Sequence, residues 1–202
     1  MSESVARVLI LSAPSGTGKT SLAQALVQQV PNTVMSVSHT TRERRVGERD
    51  GLDYYFVGDV EFTDMVKSGD FLEHAEVYNH RYGTGRQAVL DQLESGNNVL
   101  LDIDWQGGQQ VRRALPESLS VSMLPPSVEE LERRLRSRAK DSEETIQRRM
   151  YQALDEMRHC KEADYIVLND DFEAALDDLK KILCGQAEQT RPLTIDLQAL
   201  LN

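Results

Sequence analysis

Ala13-Pro14-Ser15-Gly16-Thr17-Gly18-Lys19-Thr20 is the stretch on which the reading of this chain turns. The apolar run Val8-Leu9-Ile10-Leu11 precedes it, and Ser21 to Val27 follows with helical apolar spacing. Strand, glycine-rich loop and helix in that order are the setting of a phosphate-binding loop. In the pattern G-x-x-x-x-G-K-[ST] the glycines let backbone N–H groups converge on phosphates, the lysine reaches the transferred group and the hydroxyl holds Mg2+. Lys19 and Thr20 fill the last two roles, with Thr20 the metal ligand, and Gly16 and Gly18 give the tight backbone. Ala13 replaces the first glycine, which is tolerable if its φ is negative. The loop Ala13, Pro14, Ser15, Gly16, Thr17, Gly18, Lys19 and Thr20 is therefore expected to bind the phosphates of a nucleotide in a phosphotransferase.

The chain has 202 residues, enough for one α/β domain with inserted subregions, and 40% hydrophobic with 28% charged residues is ordinary for a globular protein. No apolar run approaches the roughly 20 residues of a membrane span. The first residues carry no basic lead and Val8–Leu11 ends in the glycine-rich loop, so the reading is of a cytoplasmic protein with no membrane partner. A formal charge of −10 disfavours nucleic acid as a partner, whereas the local arginines suit a compact anion such as a nucleotide. Cys160 and Cys184 form no metal or redox motif and read as small side chains on helices. Oligomeric state is not legible at this level.

Pro31 stops the first helix, and Thr33 to Ser38 reads as a second strand. From Thr40 to Tyr82 charged turns, the aromatic group Tyr54-Tyr55-Phe56 and a short helix over Val60 to Lys67, ended by Gly69, suggest a small substrate-holding insertion. A helix over about Arg86 to Glu94 stops at Gly96. Asn98 to Asp104 follows as a nearly continuous apolar strand with carboxylates at its C-terminal end, where open α/β sheets bind ligands. Leu119 to Leu124 is another strand, ended by Pro125-Pro126. Two short helices, one started by Ser127 and the other by Ser142, are joined by Ala139-Lys140-Asp141 as in a hinged lid. Arg134 and Arg138 share a face of the first, although on charge pattern alone this stretch also reads as a solvated surface. Tyr165 to Asn169 is a last core strand and Phe172 to Leu183 a last helix; the tail beyond Gly185 carries no signal.

A phosphate loop alone does not choose among ATPase, GTPase and small-molecule kinase. Leu168-Asn169-Asp170-Asp171 is not the Asn-Lys-x-Asp segment of a GTPase, and the insertion with its arginines and tyrosines favours a second phosphorylated substrate. Seven separated blocks then make the match specific. They are Ser12 to Thr20, Ser38-His39-Thr40-Thr41-Arg42, Gly47-Glu48 through Asp53-Tyr54, Tyr82-Gly83-Thr84, Asp102 to Gly107, Pro125-Pro126-Ser127, and Ile166 to Asp171. Over Arg7 to Leu183 the chain closely resembles the guanylate kinase family, nucleoside monophosphate kinases that transfer the γ-phosphoryl of ATP to GMP or dGMP.

The resemblance implies a P-loop core with a parallel sheet flanked by helices (5–37, 85–126 and 150–184), a GMP-binding insertion (38–84), a lid (127–149) and a tail (185–202). It implies that Arg42, Arg45, Tyr54 and Tyr82 hold the GMP phosphate, and that Ser38, Glu73 and Thr84 read guanine. Asp102 or Asp104 would contact the GMP side or the waters of Mg2+. Arg134 and Asn169 join the loop in binding ATP, and Lys19, Arg42, Arg138 and Arg149 stabilise the transferring phosphoryl group. Without the resemblance, Tyr54 and Tyr82 read as aromatic packing. Trp105 is expected in the core or the pocket wall, and His39 as a solvated or phosphate-side histidine. The rivals are a kinase of another nucleoside monophosphate and a noncatalytic interaction module of the same fold.

Overall fold

The computed structural model describes residues 6–77, 79–137 and 142–201. In chain order the elements are β1 (Val8–Ser12), α1 (Lys19–Gln29), β2 (Thr33–Met35), β3 (Ser38–Thr40), β4 (Tyr55–Phe56), α2 (Asp59–Ser68), β5 (Phe71–Val77), β6 (His80–Gly85), α3 (Arg86–Glu94), β7 (Asn98–Asp102), α4 (Trp105–Ala114), β8 (Leu119–Leu124), α5 (Val128–Ser137), α6 (Glu143–Arg158), β9 (Tyr165–Leu168), α7 (Phe172–Leu183) and α8 (Leu197–Leu201).

Five strands form a parallel sheet in the order β2-β7-β1-β8-β9. Central β1 is apolar at successive positions because both of its faces are covered. Leu9 and Leu11 pack with Leu22 and Leu26 of α1 and Leu176 and Leu179 of α7. Val8 and Ile10 turn the other way, toward Val89 of α3 and Val111 of α4. A third cluster joins Leu131 and Leu135 of α5 to Ala153 and Met157 of α6 and Leu200. Among the described residues no helix is long and apolar enough to cross a membrane.

A separate sheet, β4-β3-β6-β5, is mixed, and it changes one expectation. Thr33 to Ser38 is not one strand. β2 pairs with β7, Ser36 N–H donates to Leu100 O, and the chain then crosses so that β3 begins the second sheet. The strand beginning at Asn98 ends at Asp102, and Asp104 instead starts α4, its carboxylate accepting from Gly107 N–H at 2.9 Å. The second lid helix is not short: α6 has 16 residues, with Ser142 accepting from Thr145 N–H at its start. Arg138 and the joint Ala139-Lys140-Asp141 lie outside the described residues.

Helix α4 was not legible because Gly107-Gly108 sits in it, and glycine weakens a helix interior. Close approach explains both residues. A Cβ on Gly107 would lie 2.6 Å from Glu73 Oε2, and one on Gly108 would lie 3.4 Å from Ile10 Cγ2. Trp105, at the head of α4, is half-buried and stacked flat on His159 at the end of α6, with ring centroids 3.5 Å apart. It therefore belongs neither to the main core nor to the cleft described next.

Candidate active site

The phosphate loop leaves β1 at the C-terminal end of the sheet. Gly16 and Gly18 both have φ of 95°, a left-handed conformation that favours glycine. Ala13 is buried and is not among the described non-glycine residues with positive φ, so the departure from the usual pattern costs no backbone strain. Lys19 Nζ lies 2.6 Å from Asp102 Oδ1 at the end of β7, and donates to Ile103 O at 3.4 Å. Burial lowers the pKa of the Lys19 ammonium, but Asp102, with Glu156 and Asp104, outweighs it and holds the pKa above the ordinary value.

The second sheet supplies the facing wall by simple alternation. Ser38 pairs with Thr84, Thr40 with Tyr82, Glu73 with Thr84 and Ala75 with Tyr82, so these side chains share one face. His39 falls on the other face, half-buried, stacked on Tyr55 and edge-on to Phe71, so it is not on the phosphate side. Burial lowers its pKa.

One cleft of about 320 Å3 runs between the two walls. The structure brings Ala13, Pro14, Ser15, Gly16, Gly18, Lys19 and Thr20 into its lining together with Ser38, Tyr54, Glu73, Tyr82, Asp102 and Asp104. Thr84 stands behind Glu73 and donates its hydroxyl to Glu73 Oε1 at 2.6 Å. Glu73 is only 3% exposed, and burial pushes its pKa to about 7, against the lowering effect of the Thr84 hydrogen bond.

The remaining residues flank the cleft. Arg42 is buried, and its fork meets both oxygens of Glu48 at 3.0 and 2.8 Å, with its guanidinium carbon 5.3 Å from the Tyr54 ring centre. Glu48 also accepts from Arg45 N–H at 2.7 Å, whereas the Arg45 side chain is exposed. Thr17, within the loop, is buried and does not line the cleft. Arg134 donates to Asn169 O at 3.1 Å and Thr17 O at 3.5 Å, and Asn169 Nδ2 donates to Thr17 O at 2.5 Å. Arg149 is carried on α6.

Two residues were missed. Glu48 lies in a quoted block, but only the fold brings its carboxylate to Arg42. Glu156, on α6, lines the cleft with Oε1 buried and unpartnered. Burial raises its pKa to about 7 despite Lys19, and Asp104 and Asp102 add to the rise. Its one sequence signal is spacing: it lies two helical turns after Arg149 and so on the same face.

A phosphate loop at the heart of a parallel sheet, opening across a short gap onto a pocket with a carboxylate and two phenols, places the chain among the P-loop nucleotide kinases. The guanylate kinase family model matches residues 5–186, and the chain belongs to that family. It is 53% identical over 184 residues to the guanylate kinase of Escherichia coli (strain K12), covering 90% of this chain and 88% of the relative. It is 52% identical over 187 residues to that of Alkalilimnicola ehrlichii, covering 91% and 92%. The crystal structure of guanylate kinase from Anaplasma phagocytophilum superposes with a TM-score of 0.74 at 37% identity, covering 93% of this chain and 88% of that one.

Proposed function

We propose that the cleft transfers the γ-phosphoryl of ATP to GMP, or dGMP, with the loop 13–20 holding the donor phosphates and the second sheet holding the acceptor. Guanylate kinase activity, GMP to GDP with ATP, follows from family membership. The observation that carries the assignment of parts is the single cleft joining the Lys19–Asp102 pair to Ser38, Tyr54, Glu73 and Tyr82.

On the acceptor side, ionised Glu73 can accept from guanine N1–H and the 2-amino group, a donor pair that adenine lacks. Ser38 and Thr84 complete the reading of the base. Arg42 and Arg45 meet the GMP phosphate with guanidinium forks, and Tyr54 and Tyr82 donate without adding charge. Arg42 exchanges Glu48 for phosphate as GMP enters. On the donor side, Arg134 and Asn169 flank the loop.

Thr20 and the waters held by Asp102 or Asp104 suit Mg2+, a hard ion with oxygen ligands. Among the described residues no group of three or more His, Cys, Asp or Glu could hold a metal alone, which fits an ion bound largely through substrate phosphates. Held by Thr20 and, through water, by Asp102 or Asp104, the ion would supply charge neutralisation to the donor phosphates. The attacking oxygen belongs to an ionised phosphate, so no general base is assigned. Lys19, Arg42, Arg138 and Arg149 stabilise charge on the transferring group, and the lid 127–149 closes to exclude water as a competing acceptor. The insertion 38–84, the core segments, the tail and a cytoplasmic setting belong to the same proposal.

Steady-state rates with GMP, AMP, UMP and CMP as acceptors test it. GMP and dGMP should be strongly preferred, and faster turnover of any other acceptor overturns the assignment of the second sheet.

A further inference from the structure

The family match ends at residue 186, yet the chain beyond it is tied to the strand end that carries Asn169. Arg191 N–H donates to Asp178 Oδ1 at 2.9 Å and its Nε donates to Asp178 Oδ2 at 2.7 Å. The same guanidinium reaches Asp170 Oδ1 through Nη1 and Leu168 O through Nη2, each at 3.0 Å. Asp178 is 3% exposed on α7, so one tail residue serves both oxygens of a buried carboxylate.

Leu168 and Asp170 are the two neighbours of Asn169, whose amide holds Thr17 O in the phosphate loop. A hollow of about 200 Å3, lined in part by Leu168, Asp170, Asp178 and Pro192, lies between this strand end and the tail. Apolar packing is incomplete there, so hydrogen bonds must set the position of the segment. Gly18 leaves little slack on the other side, since a Cβ there would lie 2.8 Å from Asn169 Nδ2.

We propose that Arg191 is a positioning residue for the donor nucleotide, fixing the backbone on both sides of Asn169 and through it the Thr17 carbonyl of the phosphate loop. This rests on the reading of Asn169 as a donor-side residue. The acceptor pocket is built on the other sheet, so loss of the clasp should be felt by ATP and not by GMP.

The test compares Arg191→Ala, Arg191→Lys and Asn169→Ala with the parent in full titrations of ATP and GMP, together with thermal unfolding. Arg191→Ala should raise KM for ATP about 3- to 10-fold, the scale of one or two lost hydrogen bonds, with KM for GMP within about twofold. Arg191→Lys keeps a cation beside Asp178 without the planar fork, so it should fold even where the alanine variant does not, and raise KM for ATP by less. Folded variants with a lower Tm and both KM values unchanged would make the clasp a purely structural strap and overturn the proposal. So would equal rises in both KM values. If Asn169→Ala raises KM for ATP while neither Arg191 variant does, the clasp fails and the donor-side reading stands. If no variant affects ATP, both fail.

Discussion

At Glu73 burial and function pull in opposite directions. The proposed acceptance of two guanine donors requires the carboxylate, but burial holds its pKa at about 7. KM for GMP should therefore rise as pH falls below about 7, and Glu73→Gln, compared with the parent, should lose that limb, which separates it from titration of the GMP phosphate. The stability sign is the reverse: a carboxyl with a folded pKa above its unfolded value favours the fold when protonated, so this contribution declines as pH rises through that range. At neutral to alkaline pH Glu73→Gln should lower kcat/KM for GMP on the order of 10- to 150-fold, mostly through KM, since one charge-assisted bond is lost far from the reacting phosphorus. A KM within twofold of the parent, in a variant with native circular dichroism, would remove Glu73 from guanine recognition. Lys19 should behave differently. Its ammonium matters most as charge redistributes, so Lys19→Ala should reduce kcat far more than it raises KM for ATP; a kcat within a few-fold of the parent contradicts the loop assignment.

Helix α4 connects the two walls, and its glycines are where sequence reading failed. Helix propensity argued against a helix at Gly107-Gly108, while the reason for those residues lay in a contact across 34 positions of sequence, between Gly107 and Glu73. Elements whose signal is local were legible: β8 matches its expected limits, and α3 and α7 fall where their approximate limits were set. Second-sheet alternation was not legible, because β3 and β4 are three and two residues long, too short to display a period. Gly107→Ala should keep the fold, since the new methyl would meet side chains that can shift, Glu73 Oε2 at 2.6 Å and Asp104 Oδ1 at 3.4 Å. KM for GMP should rise nonetheless, and kinetics with ATP held saturating will measure it. An unchanged KM would mean that the Glu73 carboxylate need not sit above the start of α4.

For the molecule as a whole, the phosphate loop announced the core, whereas the joining of the loop and the second sheet into one cleft arises only on folding. Glu48 and Glu156 were invisible for that reason: each acts on a partner that only folding brings near. If residues 127–149 close over the reactants, hydrogen exchange across them should slow sharply with a two-headed adenosine–guanosine ligand and little with an ATP analogue alone. Equal protection in the free protein would make these helices a fixed surface. Trp105 offers a way to watch the same event. It is the one tryptophan of the chain, and its indole lies flat on the imidazole that ends α6, the helix whose other end begins within the segment 127–149 proposed to close. Any swing of α6 must slide one ring across the other, so the protein contains its own optical gauge: near-ultraviolet emission should change in step with closure, without a label, and fast enough to time the lid against phosphoryl transfer.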